Sequence, residues 1–389
     1  MRGLVRIILA GAMAAFTLLA PAAGQAVGGP ALDWSPATNG AYDFGTVTVG
    51  QTASQTFTLT NSGGSATGIL TVALSGSSAF TKTADGCTMI SLGPRRSCSV
   101  TVEYAPTTAD QHDSGTLSAT GKKPAADASL ALTGASPPRH VYWANNGSAT
   151  IGRVDVDGQN ANQSFISGAS LPAGVAVDSG HVYWTNDTGT IGRADLDGQN
   201  PNQSFISGAS VPFGVAVDSG HIYWVNRLTD TIGRADLNGS NVNQSFITSD
   251  LEPAEVAVDS GHVYWTNVLT GAIGRADLDG SNVNQSFITG ASFPAGVAVD
   301  SGHIYWTNDF ADPMEDTIGR ADLDGQNPNQ SFIGGADRPL GVAVDSGHVY
   351  WSNELTTNTI GRADLDGSNP NQSFVVGASF PQGVAVEAG

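Results

Sequence analysis

Residues 174–206 read Gly174-Val-Ala-Val-Asp178-Ser-Gly-His181-Val-Tyr-Trp-Thr-Asn186-Asp-Thr-Gly-Thr190-Ile-Gly-Arg-Ala-Asp195-Leu-Asp-Gly-Gln-Asn200-Pro-Asn-Gln203-Ser-Phe-Ile206. Four strand-length segments stand out: Gly174 to Asp178, His181 to Asn186, Thr190 to Leu196 and Gln203 to Ile206. Turn residues separate them, as at Asp178-Ser179-Gly180 and Asp197-Gly198-Gln199-Asn200, and none has helical periodicity. The unit predicts a four-stranded antiparallel meander.

The same unit recurs down the chain. Its His-(Val/Ile)-Tyr-Trp signature starts at His140, His181, His221, His262, His303 and His348, at intervals of 41, 40, 41, 41 and 45. A meander repeated at this period predicts the blades of a β-propeller. The first copy lacks a preceding Gly-Val-Ala-Val strand, and an extra one, Gly383-Val384-Ala385-Val386, follows the last copy. Pairing the orphan strand with the incomplete first blade removes the exposed edges of an open array. The expectation is an all-β chain with a six-bladed propeller over 136–389, closed by its C-terminal strand.

Tyr-Trp-Thr-Asn, Ile-Gly-Arg-Ala-Asp-Leu-Asp-Gly and Pro-x-Gly-Val-Ala-Val-Asp resemble the low-density lipoprotein receptor class B (YWTD) repeat across 140–389. The resemblance implies a six-bladed propeller used mainly for protein binding. The departure is Asn145, Asn186, Asn226, Asn267, Asn308 and Asn353 where the family signature has Asp. Asn keeps a capping hydrogen bond without the charge.

Upstream, residues 1–26 read as a secretory signal, with Arg2 and Arg6 before an apolar run from Ile7 to Ala20 and small residues after it. Export to an extracellular location is the expectation. Residues 32–135 alternate in short strands and predict a two-sheet sandwich. Cys87 and Cys98 close a small loop, and a disulfide there adds about 3 kcal/mol. Phe57-Thr58-Leu59-Thr60-Asn61-Ser62-Gly63, Cys98-Ser99-Val100, Tyr104-Ala105-Pro106 and Leu132-Thr133-Gly134-Ala135 resemble a bacterial hydin-type (ASH, choice-of-anchor-D) immunoglobulin-like domain, which implies a spacer or adhesive module.

The 389 residues carry 16 Lys+Arg against 35 Asp+Glu, a net charge of −19. Such a surface repels nucleic-acid phosphates and anionic membranes. The repeated motifs read as structural. The six histidines sit one per blade, too far apart to share a metal. Arg153, Arg193, Arg234, Arg275, Arg320 and Arg362 are expected between blades, paired with Asp178- or Asp195-type carboxylates. Asp195 to Asn200 hints at calcium, but its glycine falls at the fourth loop position and a hairpin turn explains it better. No cofactor is expected.

Function is sought where the repeats disagree. Eleven irregular acids fall on the strand 2–3 and strand 4–1 connections, which emerge on one face, and only Arg227 and Arg338 oppose them there. The expected partner-binding residues are Asp250, Glu252, Glu255, Asp309, Asp312, Glu315, Asp316 and Asp337, with Phe213, Phe293, Phe310 and Phe380 as apolar anchors. Glu255 is the sharpest departure, replacing the Gly174-type residue that opens the innermost strand. The expectation is a monomeric, non-enzymatic binding protein engaging a cationic protein or ligand on this rim. A propeller hydrolase, lactonase or lyase with a channel metal is the alternative, and a cell-surface scaffold is another.

Overall fold

The computed structural model describes residues 28–122, 127–249, 252–309 and 316–387. The signal-like segment 1–26 therefore lies outside the described residues, as do Asp250, Phe310, Asp312 and Glu315. All the regular structure described is β-strand, in two compact units that part at Ser136 and Pro137. Among the described residues no helix is long and apolar enough to cross a membrane.

The first unit is a sandwich of two four-stranded sheets. One runs Leu32–Ser35, Ala53–Asn61, Ser97–Tyr104, Phe80–Asp85; the other runs Ala41–Thr46, Asp127–Ala135, His112–Gly121, Leu70–Gly76. Strand alternation sends one side chain in two inward, so Phe57, Leu59, Val100, Val102, Leu117, Leu130 and Leu132 are fully buried. Cys87 and Cys98 form the expected disulfide.

The second unit holds six four-stranded antiparallel sheets. Five take their strands consecutively; the remaining one has the order Asn162–Ser167, Thr150–Asp155, His140–Asn145, Pro381–Val386. There Val384 faces Trp143 and Val386 faces Val141, so the orphan strand completes the first sheet. Glu387 secures this seam: it accepts from Tyr142 Oη at 2.6 Å and lies 3.0 Å from His140 Nδ1. Gly383 N–H then donates to Ala173 of the next sheet at 2.7 Å, and the array is a closed propeller.

Each tryptophan of the Tyr-Trp pair is fully buried and packs against the glycine of its neighbouring Ile-Gly-Arg strand. A Cβ on Gly192 would stand 2.2 Å from Trp184, so only glycine permits that contact. The asparagines that replace the family's Asp are buried and use both ends of the amide. Asn226 Nδ2 donates to Gln244 O at 2.7 Å and Thr231 Oγ1 at 3.3 Å, while its Oδ1 accepts from Ser210 N–H at 2.8 Å. A carboxylate could only accept, so the neutral amide satisfies more of the buried groups.

The arginines depart from the expected carboxylate pairing. Arg193 lies 3.9 Å over the Phe205 ring and donates to Leu237 O of the next sheet at 3.3 Å. The carboxylates are engaged elsewhere: Asp178 takes Gly180 N–H, His181 N–H and Tyr183 Oη, and Asp195 takes Asn200 Nδ2. In the Asp195-to-Asn200 turn, Asp197 likewise accepts Gln199 N–H at 2.9 Å. Each histidine is partly exposed and packs beside its Tyr, as His181 does on Tyr183 at 5.9 Å between centroids.

Candidate functional site

The innermost strands approach one another closely at one level of the channel. Five of the six equivalent positions there are Gly174, Gly214, Gly296, Gly341 and Gly383; a Cβ on any of them would lie 2.7 Å or less from the neighbouring blade. The sixth is Glu255. Its own N–H donates to Thr266 Oγ1 at 3.0 Å, and its carboxyl folds back to accept from Val256 N–H at 3.2 Å and from the backbone of Val215. Oε1 occupies the space a Cβ on Gly214 would need, 2.2 Å from it. Burial pushes this carboxyl up to about 8, against the opposing pull of the Val256 and Val215 N–H groups.

A hydroxyl bridge joins most adjacent blades at this level. Thr185 accepts Gly174 N–H at 2.8 Å and donates to Phe213 O at 2.7 Å; Thr266, Thr307 and Ser352 make the corresponding donations to Ala295, Leu340 and Gln382. Val225 stands in that place for the blade of Gly214, so the gap that receives the Glu255 carboxyl has no hydroxyl.

Above this neck the channel widens into a cavity of about 310 Å³. Phe213, Val268, Phe293 and Leu340 give it apolar walls; Arg227, Asp309, Arg338, Glu354 and Gln382 bring polar groups, and Ala254 and Ala295 lie next to the neck. Arg338 is held by Glu354 at 3.1 Å and Asp309 at 3.8 Å. Desolvation raises the Asp309 carboxyl, and Arg338 partly offsets that. On the far side of the neck the channel is lined by valines and alanines, among them Val175, Val215, Val256, Val297 and Val342.

Around the mouth the six 4–1 connections share one backbone device. The residue before each strand-opening proline is Leu171, Val211, Glu252, Phe293, Arg338 or Phe380, and all six are left-handed, with φ between 43° and 52°. That conformation costs a non-glycine residue about 1 kcal/mol or more, and most for the β-branched Val211. Side-chain oxygens of the preceding blade's 2–3 loop hold three of them in place: Asp230 accepts Glu252 N–H, Asp316 accepts Arg338 N–H and Asn358 accepts Phe380 N–H, at 3.0, 2.8 and 3.1 Å. The geometry thus presents six side chains of five kinds, one per blade, around a common funnel.

Of the residues singled out from sequence, Phe213, Phe293 and Asp309 line the cavity, Glu255 stands in the neck, and Glu252 and Phe380 sit on the mouth. Two irregular acids serve the loops instead of the open rim. Asp316 is buried and holds Arg338 N–H; Asp337 is taken up by Thr356 and Thr357, whose donors hold its carboxyl below the usual range despite the burial that raises it. Arg227, Arg338 and Glu354 were counted in the sequence only as charge, yet they line the cavity. Their signal was the same one that marked Glu255, departure from the repeat. Among the described residues no group of three or more His, Cys, Asp or Glu is placed to hold a metal ion.

Six sheets joined around a funnel define a β-propeller with a ligand-sized central cavity. The sequence model of the virginiamycin B lyase family matches residues 127–389, and the chain belongs to that family. A second family, Cep192 domain 4, matches residues 37–136. No curated protein matches the chain in sequence. Among solved structures, a chain of the nidogen/laminin complex is 21% identical with a TM-score of 0.53, covering 64% of this chain and 98% of that one. The virginiamycin B lyase of Staphylococcus aureus is 18% identical with a TM-score of 0.43, over 71% of this chain and 86% of that one. The first of these likenesses supports the propeller fold.

Family membership corrects the expectation of a non-enzymatic protein, because the family takes its name from a lyase. The near-identity of the blades argued against catalysis. It describes the framework, whereas the cavity is furnished by the few residues that break the repeat.

Proposed function

We propose that the propeller takes up a small amphipathic ligand carrying a basic group in its funnel, and that Glu255 acts on it as a general base in lyase-type elimination. The observation that carries this reading is the single carboxyl in a neck otherwise built of glycine. With its pKa near 8, the group exchanges a proton close to neutral pH, as a general base must. As a carboxylate it removes a proton from the ligand; the released electron pair forms a double bond as the adjacent leaving group departs. Phe213 and Phe293 offer apolar contact, and Asp309 offers a partner for the basic group. The raised carboxyls at Glu255 and Asp309 favour a cationic ligand, since its charge restores theirs. The sandwich unit is read as an immunoglobulin-like spacer on an exported chain.

The test is incubation with virginiamycin B, the compound in the family's name, and with a panel of basic aromatic esters, followed by mass spectrometry. Turnover that rises toward pH 8 and falls at least about 100-fold in Glu255→Gln supports the reading. Unchanged turnover in that variant, or neither binding nor turnover of any compound by the native chain, overturns it.

A further inference from the structure

The two cavity arginines are not equivalent. Arg338 is neutralised by Glu354 and Asp309. Arg227 is half-buried, stacks on Phe213 at 4.9 Å, and forms no ion pair with any described carboxylate. Its backbone is fixed, with its N–H donating to Val211 O at 3.3 Å. The guanidinium thus sits against the ring with its N–H donors unpaired with any described carboxylate, beside a cavity with apolar walls. A planar fork in that setting matches a carboxylate, which accepts two parallel hydrogen bonds, better than any neutral group.

Resting on the funnel as the ligand site, we infer that Arg227 is a carboxylate-recognising subsite and that the ligand class is zwitterionic and peptide-like. Its acid end lies against Arg227, its apolar side chain contacts Phe213 and Phe293, and its basic group faces the carboxyls of Asp309 and Glu255. Both charge signs in one cavity exclude a purely cationic ligand as the best fit. Such a ligand would set an anion against a cavity guanidinium that forms no ion pair with any described carboxylate and a cation against carboxyls whose charged form burial disfavours.

The experiment is isothermal titration of the full chain at low salt with a panel of lysyl and arginyl dipeptides ending in Phe, Tyr or Leu. Each is supplied as the free acid and as the C-terminal amide. For the native chain the acid is expected to bind about tenfold more tightly than the amide, the worth of one charge-assisted hydrogen-bonded contact. Arg227→Gln is expected to abolish that difference between acid and amide; Arg227→Lys keeps the charge but loses the fork and should recover only part of it. Acid and amide binding equally to the native chain overturns the carboxylate subsite while leaving the funnel as a ligand site. No binding of any peptide removes both. Circular dichroism of both variants separates lost recognition from lost folding.

Discussion

The carboxyl of Glu255 rests where the side chain of Gly214 would be: a Cβ built there falls 2.2 Å from Oε1 and 2.6 Å from the Glu255 Cα. Two blades thus share one small volume at the channel neck, filled by the only acid among six equivalent positions.

Gly214→Ala is therefore expected to drive the carboxyl out of its niche, away from Val215. Overpacking of this kind costs about 1–3 kcal/mol. The more telling readout is the Glu255 carboxyl carbon followed by NMR titration. Its midpoint should fall from near 8 toward the ordinary range as the group regains solvent, whereas Gly341→Ala, whose added carbon meets Gln382 and Gly383 on another pair of blades, should leave it in place.

Glu255 also couples stability to pH. Its folded pKa lies above the unfolded value, so the folded state holds the proton more tightly. Its contribution is fully present below about pH 4.5 and is lost as pH rises through about 8. Urea midpoints of the native chain should decline across that window relative to Glu255→Gln. Parallel curves for the two proteins would contradict the burial of the carboxyl.

Asn226→Asp restores the residue of the YWTD signature, yet it is expected to destabilise. Nδ2 donates to Gln244 O and Thr231 Oγ1; a carboxylate would face the Gln244 carbonyl with no proton to offer. The loss should reach about 2–4 kcal/mol at pH 7 and shrink in acid, where the protonated form can donate once. Thermal unfolding followed by near-ultraviolet tryptophan signals at pH 7 and pH 4.5 would measure both numbers.

Glu387 accepts from Tyr142 and contacts His140 across the seam. Glu387→Ala leaves the buried Tyr142 hydroxyl without that acceptor, for a loss of about 1–3 kcal/mol. Hydrogen exchange should show the added opening first in His140–Asn145 and Pro381–Val386. A uniform change over all six sheets would mean the seam is no weaker than the rest of the ring.

The propeller was legible because its determinants are local and repeated. Tyr-Trp over Ile-Gly-Arg states both the strand period and the close approach that only Gly192 and its counterparts permit. The seam could be read from one surplus strand. The cavity was legible only in part: Glu255 announced itself by replacing a glycine, but the partners of Arg338 and the stacking of Arg227 on Phe213 depend on loops brought together from separate blades. The expected Arg–Asp pairs failed for a related reason. The arginine reaches across to the next sheet's carbonyl, while the aspartate is consumed by its own turn. Nor does sequence period report backbone handedness, so the ring of left-handed residues from Leu171 to Phe380 was invisible in it.

The seam also dictates an order of events. Tyr142 waits for Glu387, 245 residues further along, so a growing polypeptide carries one unfinished blade through the synthesis of every other. Until then the free edge of His140–Asn145 can recruit a strand from another molecule. Swapped oligomers and chaperone dependence should thus concentrate at this one joint, and a circular permutant beginning at Pro381 would mature fastest of all.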